Sequence, residues 1–93
     1  MKYERGPRFG LSENQQSFLY WSLRNFDTMP PQAQAFTHQL CAEIGGSDSD
    51  ALFHCLTTKT PIPMIATAHN VSSSLLTGYV RKFYQEFVSR YTL

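Results

Sequence analysis

Apolar residues recur along this chain at helical spacing, in blocks separated by Gly and Pro. The first block follows "SENQ", where the Ser12 hydroxyl is set to accept from the Gln15 backbone N–H and the Gln15 side chain to reach back. The helix it opens is expected to reach about Phe26. Phe18, Leu19, Ser22, Leu23 and Phe26 form its inner face, which Tyr20 and Trp21 widen. "DTMPP" breaks the pattern, and Pro31 suits the first turn of a second helix over about 31–44. Its stripe is Phe36, Leu40, Cys41 and Ile44, and Gly45-Gly46 ends it. "SDSD" offers N-caps to a third helix, about 50–58, with Leu52, Phe53, Cys55 and Leu56 inward. A linker, "TTKTPIP", leads to a short fourth helix over about 63–69. The fifth runs from after Ser72 to about Tyr91, with Leu75, Leu76, Tyr79, Val80, Phe83, Phe87 and Val88 as its stripe.

No stretch alternates as a strand does, and no repeat or low-complexity tract appears. The expectation is an all-α fold of about five helices with a C-terminal helix-turn-helix. A basic arm, residues 1–11, precedes one helical domain, residues 12–93. Ninety-three residues leave no room for a second core. No apolar run approaches the roughly 18 residues of a membrane span, and the start of the chain is too polar for a signal peptide. That points to a cytoplasmic protein without a membrane partner. Cys41 and Cys55 sit within apolar helical patterns, as buried free thiols of a reducing compartment do, and no disulfide framework surrounds them.

Net charge is only +1, which argues against a nucleic-acid binder. Its layout argues the other way. Residues 1–24 sum to +2, residues 25–58 hold four acids and no Lys or Arg, and residues 59–93 sum to +3. An acidic middle between basic ends also suits self-association.

The stretch "IATAHNVSSSLLTGYV", Ile65 to Val80, carries the most specific pattern. A helix-turn-helix needs a small residue where its helices meet, and Ala66 stands there. Four residues on, the turn needs a residue tolerant of positive φ, and Asn70 serves. Val71 would be buried, Ser72 would cap the second helix, and Leu76 and Tyr79 would face inward. His69, where an apolar residue is usual, is the exception. Ser72, Ser73, Ser74, Thr77, Gly78 and Arg81 then form the expected DNA-reading face, within a helix-turn-helix at about 63–90. Lys59, Lys82 and Arg90 add expected phosphate contacts. Small hydroxyl residues read bases with little selectivity, so several copies on DNA, or shape readout of A·T-rich segments, would supply specificity.

The segment "PPQAQAFTHQLCAEIGGSDSDALFHCL" and the helices after it resemble the PapB-type adhesin-biosynthesis transcription regulators of fimbrial operons. The likeness runs from about Pro30 to Tyr84. It rests on the proline-led helix, Leu40, Ile44, the "SDSDA" helix start at Ser47 to Ala51 and the two helix-turn-helix segments. It implies a small helical regulator, nucleoid-associated, that binds A·T-rich promoter DNA as an oligomer and controls fimbrial expression.

Rival chemistry is thin. His38, His54 and His69 lack metal-ligand spacing; a zinc site from His38, Cys41 and His54 or Cys55 is the one conceivable arrangement. No base is placed to activate the serines at 72–74, so no catalytic residue, cofactor or small-molecule ligand is expected. The stronger rival is a non-enzymatic protein-interaction module or inhibitor without a DNA role. The aromatic surplus supports it, with Trp21, Tyr84, Phe87 and Tyr91 as the expected oligomer interface.

Overall fold

The computed structural model describes the backbone of residues 13–90 and the side chains of residues 15–90. Five α-helices lie within them: α1 (Glu13–Arg24), α2 (Pro31–Gly45), α3 (Ser49–Thr57), α4 (Ile62–His69) and α5 (Ser73–Arg90). Short 3-10 turns at Phe26–Thr28 and Gly46–Asp48 follow α1 and lead into α3. No strand occurs among the described residues, so the fold is all-α as expected. The basic arm, the Ser12 cap and Tyr91 lie outside the described residues.

Helix bounds follow local chemistry. Pro30 is extended at ψ 146° and Pro31 opens α2. Gly46, at φ 55°, ends it in a conformation few other residues accept. The "SDSD" segment behaves differently from the expectation. No side chain caps α3, because the 3-10 turn hands the chain over directly, with the Ser49 N–H donating to the Gly46 carbonyl. Asp48 instead accepts a long hydrogen bond, 3.4 Å, from the Tyr79 hydroxyl of α5.

The nine-residue α3 is the centre of the molecule, in contact with each of the other four α-helices. Leu52, Cys55 and Leu56 are fully buried. Around them close Leu19 and Leu23 of α1, Leu40 and Cys41 of α2, Ile65 and Ala66 of α4, and Leu76, Val80, Phe83, Tyr84 and Phe87 of α5. Phe53 is only partly buried and meets Phe26 edge to face at 5.0 Å, while the His38 ring stacks on it at 4.7 Å.

Two faces differ from the expectation. In α1 the inner face is Gln16, Leu19, Tyr20 and Leu23, a clean i, i+3, i+4, i+7 set. Phe18 and Trp21 therefore point outward, 56% and 48% exposed. Tyr84 and Phe87, expected at an oligomer interface, are 1% and 0% exposed, because the i, i+4, i+7, i+8, i+11 series from Leu76 carries both into the core. Of that interface set, Trp21 alone is described at the surface.

Arg24 ends α1 and caps α3. Its Nη1 donates to the Leu56 carbonyl at 3.0 Å and to Tyr20 O at 3.3 Å, and Nη2 donates to Cys55 O at 3.4 Å. These α3 carbonyls lack helical partners, and a cation at a helix C-terminus also meets the favourable end of its dipole. The guanidinium lies 3.7 Å from the Tyr20 ring centroid. A cation counted in the basic amino-terminal segment is thus a structural clamp. Arg24→Met is expected to cost about 2 kcal/mol, measured as a lowered urea midpoint with an unchanged slope.

Cys41 and Cys55 are free and buried. Burial pushes the Cys41 thiol up from 9.0 to about 12. It raises the Cys55 thiol from 9.0 to about 11, against the opposing charge of Arg24. Both folded values lie above the unfolded one, so their contribution to stability is complete below about pH 9 and is lost as pH rises toward the folded values. Unfolding followed from pH 7 to 10.5 is expected to show stability falling above about pH 9. Iodoacetamide is expected to label neither thiol at pH 7.5 until denaturant is added.

Candidate nucleic-acid interface

The α4–turn–α5 unit is built by one turn. Asn70 sits at φ 59° and ψ 45°, the left-handed conformation the sequence requires of it. Its N–H donates to the Thr67 carbonyl at 3.2 Å, and the Val71 N–H donates to the Ala66 carbonyl at 2.8 Å. This pair of bonds is the Schellman closure, which satisfies the last carbonyls of α4 and reverses the chain within three residues. Val71 packs against the core behind it. Ser72 then caps α5, its Oγ accepting from the Leu75 N–H at 3.3 Å.

Ala66 is 3% exposed, Ile65 1% and Leu76 0%, so the helices meet where the sequence places small and apolar residues. Tyr79 is only partly buried, held by its hydroxyl to Asp48, and Val80 fills the inner position beside it. His69 is exposed, its ring centroid 5.8 Å from that of His54.

Ser72, Ser73, Ser74, Thr77, Gly78, Arg81 and Lys82 are all exposed, along one helix and its cap. Thr77 spends its hydroxyl proton on the Ser73 carbonyl at 2.9 Å, so toward a partner its oxygen can only accept. A Cβ at Gly78 would meet nothing within 4 Å, so no packing in the chain calls for glycine there. Lys59, grouped with these by sequence, leans toward α1: its Nζ lies 5.5 Å from the Trp21 ring centroid. Arg90 is engaged by Glu43 at 2.8 Å and by Glu86 at 3.5 Å. The hydrogen bond from Arg90 holds the Glu43 carboxyl below its ordinary range. Part of the polarised charge layout is therefore satisfied within one molecule.

Sequence reasoning missed Leu75, which it put in the inner stripe of α5. The side chain is 45% exposed. At about 100° per residue, a stripe through Leu76, Val80, Phe83 and Phe87 turns its neighbour Leu75 outward. That offset is legible once Leu76 is taken as the anchor. Gln85, also exposed, shares the outward face.

Among the described residues, no three His, Cys, Asp or Glu side chains stand as a metal would require, and no helix is long and apolar enough to cross a membrane. Comparison with protein-family models, curated proteins and solved structures returned no match.

The closure makes two substitutions informative. Asn70→Val is expected to lose about 1–2 kcal/mol, since a β-branched residue resists the left-handed conformation. Ala66→Leu is expected to lose about 1–3 kcal/mol by overpacking the crossing. Thermal unfolding of both variants against the parent chain checks them, with Asn70→Gly expected close to neutral.

Proposed function

We propose that this chain is a DNA-binding regulator that lays the outward face of α5 in the major groove of duplex DNA. One observation supports this above the others. The exposed positions of α5 from Ser73 to Lys82 carry Arg81 and Lys82 and no carboxylate, while Glu86, a turn further on and 40% exposed at its side chain, is paired with Arg90. A face with cations and hydroxyls but no anion suits a polyanion. The tight α4–α5 turn supports the same reading, because it projects the first turns of α5 outward as helix-turn-helix readers require. Ser73 and Ser74 supply hydroxyls for phosphates and base edges, Thr77 supplies an acceptor oxygen and a methyl for base edges, and Arg81 and Lys82 supply phosphate contacts one to two turns along.

The resemblance to PapB-type regulators extends the proposal to A·T-rich promoter DNA, to several copies acting together, and to control of a fimbrial or adhesin operon. A second reading has its own observation. Phe18 and Trp21 line an open groove on α1 with Ser17, Ser22, Asn25 and Thr28, as a protein-binding face would. Such a face serves either self-association or a foreign protein.

Titration of fluorescent A·T-rich and G·C-rich duplexes at two salt concentrations, with sedimentation alongside, tests the proposal. Binding is expected to favour A·T and to weaken steeply with salt. Thr77→Glu is expected to cost at least about tenfold, through a carboxylate facing phosphate. Arg81→Ala is expected to weaken all duplexes alike and to flatten the salt slope by about one unit. Gly78→Ala should stabilise the fold by about 0.5–1 kcal/mol while weakening DNA binding. Absence of binding at low salt by folded protein overturns the proposal.

A further inference from the structure

The outward face of α5 has one large apolar side chain. Ser74, Leu75, Gly78, Arg81, Lys82 and Gln85 are all exposed, and about 100° per residue puts them on the side away from Leu76, Val80 and Phe83. Leu75 stands in the first turn, the part of a reading helix that meets base edges. Its neighbours there are two serines and, one turn on, a glycine whose missing side chain leaves open space. The isobutyl group is 45% exposed. Lys82, seven residues on, lies about 10 Å along the axis. That compares with a major groove about 12 Å wide, so the apolar tip can reach the floor while the cations meet a phosphate ridge.

The floor of the major groove presents one protruding apolar group, the C5 methyl of thymine; cytosine has only a hydrogen at that position, and the N and O groups beside it are hydrogen-bond donors or acceptors. Leucine offers neither donor nor acceptor. Set against guanine or cytosine, it would strip water from polar edges without replacing the bonds. Set against thymine, it covers a methyl and buries its own exposed surface.

We infer that Leu75 reads the thymine methyl, and so gives the chain a direct preference for A·T pairs in addition to any readout of shape. This rests on the proposed DNA-binding role of α5. It names the residue that sets base preference and the chemical group recognised.

The test uses an alternating A·T duplex and its twin in which deoxyuridine replaces every thymidine. The twin lacks the methyl and keeps the pairing, and the alternating sequence removes any dependence on register. The full chain is expected to bind the thymine duplex about fourfold more tightly for each methyl covered. Leu75→Ala, at an exposed position where alanine is a good helix former, should fold normally and bind the two duplexes equally. Leu75→Met, still apolar and long, should restore the difference.

Equal affinity of the parent chain for both duplexes overturns the methyl contact and leaves DNA binding standing. A difference that persists in Leu75→Ala overturns the assignment to Leu75. Failure to bind either duplex at low salt overturns the DNA reading, and this inference with it.

Discussion

The whole molecule depends on the burial of one short helix. At nine residues α3 is too brief to be stable alone, and its helicity has to come from packing. It supplies Leu52, Cys55 and Leu56 to the core from two turns, and every other α-helix is arranged around them. Burial creates its own difficulty, because the last carbonyls of α3 would be hidden from water without partners. Arg24 answers it from α1 with a planar fork that bonds two of those carbonyls at once. Lysine, a point donor, would not match this geometry. The link also joins the ends of α1 and α3, which the sequence separates by more than thirty residues.

The α4–turn–α5 unit hangs on that centre by two attachments. Ile65, Ala66, Leu76 and Val80 pack into the core, and the Tyr79 hydroxyl reaches Asp48 at the entry to α3. Between them, the Asn70 turn is closed by backbone bonds, with little freedom left to the chain. Rigid presentation matters on the proposed reading. Contacts made by short hydroxyl side chains are weak, and each would be lost to disorder if the helix that carries them swung.

Much of this was legible in the sequence, and the exceptions share a cause. Gly and Pro fixed the helix bounds, since their backbone limits act locally. Asn70 and Ser72 were legible because a left-handed turn and a helix cap each require few residue types. Side-chain direction was harder. The apolar pattern places Phe18 inward, yet it is Gln16 that is fully buried. Hydrophobicity alone cannot set the phase of a helix with aromatics on both sides. Tyr84 goes the opposite way, because an aromatic surplus suggests surface where the core has space for it; Phe87, expected both in the apolar stripe of α5 and at the interface, follows the stripe. Arg24 and Arg90 were counted as free charge. Their partners, Leu56 and Glu43, lie 32 and 47 residues away, a distance no local pattern spans.

The composition of the outward face bears on how such a protein would reach specificity. One leucine and a few hydroxyls give each subunit a small discrimination between bases, and the cations give attraction indifferent to sequence. Small differences multiply when copies bind side by side, because each later contact is made at high effective concentration. Specificity would then reside in runs of A·T pairs, with no single base decisive. Charge offers less cohesion between copies than the sequence layout suggests, since Arg90 is already paired with Glu43 within the chain. Phe18 and Trp21, on the outer side of α1, are the exposed aromatics that offer it. On this reading α1 carries cohesion and α5 carries recognition, and α3 holds the two at a fixed relation.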